Sequence, residues 1–381
     1  VSHFEKMLYD QAQLAVSYLE AKQATGLEVY AWIARDIFTY VQRDLTSPAG
    51  GFYSAEDADS LMVRGKPEHA EGAFYVWTKD EIDAVLGADA AFFCTHFGVK
   101  PGGNVDHDPQ AEFTGKNVLM QRQSMATTGR EHGLEVAAAS DKLLGCLEKL
   151  RAVRAQRPRP HLDDKIITAW NGLMISALAQ GARVLGDGSY LAAATRAAEF
   201  IQRELYDERS GTLYRSWRGS RGTIAGFAED YAFLIQGLLD LYEAGFEIRW
   251  LQWAERLQAG MDGLFEDPDR GGYFNSRADD PNVIVRLKED HDGAEPSANS
   301  VAALNLLRLD WMLGLAGARE RAVKVIEALR PQWTAMPQGL PQLLCAIELV
   351  VDAPRTVVLA GDPAGADFQA LAAVLAEPLG P

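Results

Sequence analysis

Acidic side chains gather in three polar clusters, HLDDK at 161–165, GFAEDY at 226–231 and HDGAEPSANS at 291–300. Asp164, Asp230 and Ser297 stand about 66 residues apart, each at the polar leading edge of a long apolar stretch. Carboxyl groups at such positions could form an acid–base pair. One carboxylic acid would protonate a leaving oxygen while a second carboxylate activates water or attacks a sugar carbon. Asp164, Asp230 and Glu295 are the candidates, with Glu229 and Asp57 in reserve. His3 and His291 offer a different chemistry, a base on each face of a sugar carbon, as an epimerase requires. Capping accounts for the same residues equally well, since Asp164, Glu229 and Ser297 belong to types favoured at helix starts.

Aromatic residues follow a second pattern. GGFYSAEDADS at 50–60 is echoed by GTLYRS at 211–216 and GGYFNS at 271–276, and only the first copy carries Glu56, Asp57 and Asp59. Glycine suits the tight reversal that follows a helix, so the phrase reads as turn chemistry, with an acidic first copy at the rim of a site. A ring beside an amide or carboxylate suits a sugar, whose apolar face and polar edge need both. Tyr53, Trp77, Trp170 with Asn171, Tyr231, Tyr273 and Asn299 are therefore the candidate substrate-binding residues, together with Glu56, Asp57, Asp59 and Glu229. Core packing is the common alternative for the rings.

Helices must position these groups. DGSYLAAATRAAEFIQREL, IRWLQWAERLQAGMDGLF and ARERAVKVIEALRPQW each carry one apolar stripe and one charged face. Between them IITAWNGLMISALAQGARVL, YAFLIQGLLDLYEAG and SVAALNLLRLDWMLG are apolar nearly all round and must be covered on every side. The alternation predicts an outer ring of helices around an inner ring, closed as a toroid of helical hairpins. If the inner helices are parallel, their polar starts meet at one mouth, where helix N-termini favour carboxylates. The expected fold is mainly α, a toroid of helical hairpins with short β-hairpins at one rim. It should form one domain over 1–352, followed by a strand–helix tail over 353–381. In the first third, GFYSAEDADSLMV and EGAFYVWT read as two extended segments joined by RGKPEHA.

Composition narrows the partners. The net charge of −16 opposes nucleic-acid binding, and no apolar run reaches the ~18 residues of a membrane span. Cys94, Cys146 and Cys345 are scattered and form no C-x-x-C, which suits a reducing cytoplasm and gives no thiol chemistry. TGKN, GDPAG, DADS and HAE each lack the remainder of the phosphate, dinucleotide, calcium or deaminase motif they begin. No metal or cofactor is indicated. The opening VSHFEKMLYD reads as a chain whose natural start lies upstream.

HFEKMLYDQAQL, GGFYSAEDADS, EGAFYVWT, DDKIITAWNGLMISALA, FAEDYAFLIQGLLDLYEA and HDGAEPSANSVAALNLLRL, in this order, resemble the thioredoxin-domain-containing family related to spermatogenesis-associated protein 20. The resemblance implies a helical domain similar to six-hairpin glycosidases and N-acylglucosamine 2-epimerases, an (α/α)6 toroid that agrees with the ring of hairpins read from the helices. It also implies a thioredoxin-like module as a partner in the full-length protein, absent from this chain. Two functions follow as expectations. One is a domain that binds or transforms a sugar-like small molecule, by glycosidase-like acid–base chemistry or by epimerisation. The other is a catalytically silent scaffold serving the redox module.

Overall fold

The computed structural model describes residues 3–108, 111–352 and 357–376. Its helices are α1 (Leu8–Thr25), α2 (Glu28–Asp44), α3 (Lys79–Leu86), α4 (Ala90–Phe97), α5 (Met125–Glu131), α6 (Val136–Arg154), α7 (Thr168–Leu185), α8 (Gly188–Glu204), α9 (Ala228–Gly245), α10 (Ile248–Phe265), α11 (Ala298–Leu313), α12 (Ala318–Ala328), α13 (Arg330–Ala335), α14 (Pro341–Val351) and α15 (Ala366–Ala376). Contacts divide the chain into two compact units: residues 1–6 with 55–163, and 7–54 with 164–381.

In the larger unit the expected alternation is present. α1, α7, α9, α11 and α14 follow one another as packed neighbours, and α2, α8, α10 and α12 each pack on the helix before them in the chain. α9 buries Ala228 and every residue from Asp230 to Ile235, whereas α8 buries the stripe Tyr190, Ala194, Ala197 and Ile201. Ends are marked by capping chemistry. The Ser297 side chain accepts from the Ser300 N–H at the start of α11, and Gly26, Gly186 and Gly314 close α1, α7 and α11 in the left-handed conformation.

Small residues set the α7–α9 crossing. A methyl on Gly237 would lie 2.5 Å from the Gly172 carbonyl oxygen, and one on Gly172 would lie 2.5 Å from the Phe233 backbone. Both positions therefore exclude any side chain. The helices run parallel, because Ala169 meets Asp230, Ser176 meets Gln236 and Asp240, and Arg183 meets Glu243.

Lower in this interface a partly buried network links three inner helices. Arg308 of α11 donates to Asp240 at 2.7 Å and to Glu243 at 2.9 Å, Arg183 of α7 reaches Glu243 at 2.8 Å, and Ser176 donates to Asp240.

The smaller unit packs α3, α4 and α5 around α6, with Trp77, Ile82, Leu86, Phe93, Cys146 and Leu150 in its core. Its short strands correct the sequence reading. Asp59–Leu61 pairs with His69–Glu71, so the second strand precedes EGAFYVWT, which forms turns after Glu71. The stretch 318–335 also departs from one continuous helix: it breaks at Leu329, and Pro331 enters at the start of α13. In the tail, α15 is present and 357–360 carry no strand, while 353–356 lie outside the described residues. No helix among the described residues is long and apolar enough to cross a membrane.

Candidate functional site

Asp230 occupies the third position of α9 and is fully buried. Its carboxylate accepts from the Ala169 N–H at 3.0 Å and the Phe227 N–H at 2.9 Å, and Arg215 Nη1 lies 3.2 Å away. Burial outweighs these donors and pushes the Asp230 carboxyl up to about 7. The same guanidinium pairs with Glu229 at 2.6 Å and rests 4.9 Å from the centre of the Phe227 ring.

Glu295 enters the cluster from the loop ahead of α11. Trp170 Nε1, in the first turn of α7, donates to its carboxylate at 2.9 Å. Burial first, then the negative charges of Glu229 and Glu289, push the Glu295 carboxyl up to about 7 against that hydrogen bond and Arg215. Glu289 is raised as well, by burial and then by Glu229. Glu229 is therefore close enough to act on Asp230, Glu289 and Glu295 alike.

The surroundings fix Glu295 from several sides. Asp292 accepts from the Ser297 N–H at 2.8 Å and the Gln342 N–H at 2.9 Å, tying the loop to α11 and α14. Gly293 N–H donates to the Glu295 carbonyl at 2.9 Å. From α1, Gln13 donates to the Ala294 carbonyl at 2.8 Å, and the Tyr9 ring packs edge-on against Trp170 at 5.0 Å. An ionisable acid is thus held by an indole N–H beside other carboxyls, an arrangement able to release or take up a proton near neutral pH.

The sequence candidates divide sharply. Asp230, Glu295, Glu229 and Trp170 come together around Arg215. Asp164 does not join them by any contact: it pairs with Arg218 at 2.6 Å on a half-exposed strand connection. His291 is exposed beside Gly339, with its ring 3.0 Å from where a methyl on that glycine would lie.

Four of the proposed substrate-binding residues belong to the fold itself. Asn171 is buried, accepts from the Phe52 N–H at 2.8 Å, and donates to the carbonyls of Phe52 at 3.0 Å and Ile167 at 2.9 Å. Asn299 does the same for Tyr273, accepting at 2.7 Å and donating at 2.9 Å, and adds a bond to the Glu289 carbonyl. Both amide N–H donors and one lone pair of the oxygen are thus taken by main chain at each asparagine. Tyr231 and Tyr273 are buried: one hydroxyl accepts from the Leu213 N–H and the other donates to Asp262. Tyr53 is half-buried, and its N–H donates to the Leu45 carbonyl.

These bonds explain the repeated turn. Gly51 packs where a methyl would lie 2.9 Å from the Phe200 ring of α8, and Gly271, at φ +71°, packs similarly against Lys324 of α12. In both copies the turn is wedged onto an outer helix and bracketed by an asparagine from an inner one.

In the smaller unit, Trp77 is buried under Arg157 at 4.0 Å, and Glu56 is buried, paired with Arg159 at 2.5 Å and bonded by Tyr75. Asp57 and Asp59 are exposed, the first accepting from the N–H of the second. His3 is exposed, with its ring nitrogens at 3.2 Å from Glu5 and Glu71, which raise its pKa. Core packing thus engages Trp77, and an ion pair engages Glu56.

Arg215, Glu289, Asp292 and Tyr9 were not picked out by the sequence reading. A signal for Arg215 existed, since it sits inside the GTLYRS copy of the turn phrase. Among the described residues, no group of three or more His, Cys, Asp or Glu side chains is arranged to hold a metal.

No protein-family model matches the chain. Spermatogenesis-associated protein 20 of mouse is 44% identical over 393 residues, covering 97% of this chain and 50% of that protein, and the human protein is 44% identical over 392. Spermatogenesis-associated protein 20 is thus a close homologue of this chain. It spans about half the length of the curated relatives it matches. Among solved structures, the cellobiose 2-epimerase of Spirochaeta thermophila superposes with a TM-score of 0.50 at 10% identity, covering 87% of this chain and 61% of that one. At that identity the likeness speaks for the fold alone, which is the (α/α)6 class implied by the sequence resemblance and consistent with the helix alternation.

Proposed function

We propose that this domain binds a sugar at the mouth formed by the starts of α7, α9 and α11, and that Glu295 serves there as a proton donor in glycosidase-like chemistry. The observation that carries this reading is the Glu295 carboxyl, raised to about 7 and held by Trp170 Nε1 next to the ion pair of Glu229 with Arg215. A protonated acid and an ionised partner side by side are what hydrolysis of a glycosidic bond needs. Trp170, half-buried and edge-packed by Tyr9, offers the apolar ring against which a sugar face can lie.

A thermal melt against mono- and disaccharides tests the binding step. A ligand at about 100 times its Kd should stabilise the domain by roughly 2.7 kcal/mol. Aryl glycosides then test turnover, with Glu295→Gln retaining binding and losing hydrolysis.

The second reading, a silent scaffold, draws support from Asn171, Asn299, Tyr231 and Tyr273, whose polar groups all serve the fold. Absence of any melting shift with the whole panel would favour it over the sugar site.

A further inference from the structure

We propose that the cavity bounded by Phe227 is a second sugar subsite, so that the ligand of the Glu295 cluster is a glycan of at least two rings. This rests on the carbohydrate reading above. The cavity has a volume of about 310 Å³ and is lined by residues 223–227 with Arg277, Asp280 and Asn282. That size lies at the lower end of small-molecule sites, ~300–1,000 Å³, and suits one ring of a chain.

Its walls have the two characters a sugar ring requires. One side carries Phe227 and Ile224, the latter 58% exposed. The other presents a guanidinium, a carboxylate and an amide. These groups are already held in place. Arg277 is gripped by both oxygens of Asp279 at 2.9 and 2.8 Å, and Asp280 accepts from the Asn282 N–H at 2.9 Å and side-chain amide at 3.1 Å. The opposite wall is pinned as well, since Arg215 N–H donates to the Ile224 carbonyl at 3.0 Å and Gly226 N–H to the Leu213 carbonyl at 2.7 Å. Preorganised polar groups lower the ordering cost of binding.

Position joins the cavity to the cluster. Phe227 lines the cavity, carries Arg215 on its ring, and donates its N–H to Asp230. Gly226, also in the lining, lies against Asp230, where an added methyl would come within 3.2 Å of the Asp230 Cβ. Gly226 and Phe227 therefore border both the cavity and Asp230, and the proposed chain of sugar rings would run past them.

Calorimetric titration of the chain with glucose, mannose, cellobiose, maltose and mannobiose tests this. At least one disaccharide should bind about tenfold or more tighter than its own monosaccharide. Asn282→Trp, which fills the cavity, and Ile224→Asp, which removes its apolar wall, should each reduce that ratio to about two or less. Both positions are exposed, so the variants keep the fold, which their unliganded melts check. Monosaccharides binding as tightly as every disaccharide, or a ratio that survives both substitutions, would overturn the subsite and leave the sugar site standing. Binding of none of the five sugars would remove the carbohydrate reading, and the subsite with it.

Discussion

The inner helices carry two polar regions of opposite design. In the lower interface Arg183 and Arg308 meet Asp240 and Glu243, two cations against two anions, with Ser176 and Gln180 bonded alongside. At the mouth, Glu229, Asp230 and Glu295 all act on Arg215, and Glu289 adds a fourth carboxyl. The lower network is balanced, so the Glu243 carboxyl is held below its ordinary value chiefly by Arg308 and Arg183 against its burial. The mouth has surplus acid, and two of its carboxyls are raised to about 7. Balance serves folding, whereas surplus acid at the start of helices leaves protons available near neutral pH.

The comparison is most severely tested at Glu295. Glu295→Gln should lower turnover of a glycoside substrate by roughly 10²–10⁴-fold, the range for loss of a general acid, with the melting temperature little changed. Kinetics and a melt on the same preparation check both halves. A variant that loses stability in proportion to activity would place Glu295 with the lower network instead.

Arg308→Met should do the reverse. It strands Asp240 without its cation and leaves Glu243 to Arg183 alone, at a cost of about 3–5 kcal/mol for a broken buried pair, read from the urea midpoint. Replacing Asn299 by Leu should cost roughly 2–3 kcal/mol, because the buried Tyr273 N–H and carbonyl lose their partners. Sugar affinity per folded molecule should fall too if the Asn299 bond to the Glu289 carbonyl orients the mouth.

The smallest effect is the dependence of stability on pH. Glu295 and Asp230 hold protons more tightly folded than unfolded, so their contribution is complete below pH ~4 and is lost as the pH rises through about 7. Urea unfolding between pH 5 and 8 should give a falling contribution that Glu295→Gln partly flattens. A slope unchanged by that substitution would mean that Glu295 titrates normally.

Much of the fold was legible because helical period is a local property. The stripes of α8 and α10 and the all-round burial of α7 and α9 are written in consecutive residues. The site was legible only in part. Asp230 and Glu295 stand out as acids ahead of apolar helices, but an asparagine bonded to main chain and one offered to a ligand are the same letter. The main-chain bonds of Asn171 and Asn299 escape a local reading because their targets, Phe52 and Tyr273, lie 119 and 26 residues away. Asp164 failed differently: it shares the repeat spacing of Asp230, yet its side chain turns to Arg218.

The contact between Gly172 and Gly237 has a mechanical consequence. With backbone touching backbone, α7 and α9 cannot slide without one carbonyl colliding with the next turn, so Trp170 and Asp230 travel as a single jaw. Glu295 rides on the segment between α10 and α11, and Asp292 is the pin on which that segment hangs. Any clamping on a guest must then be done by this second, lighter jaw, and cutting the pin with Asp292→Ala should slacken the grip while leaving the first jaw rigid.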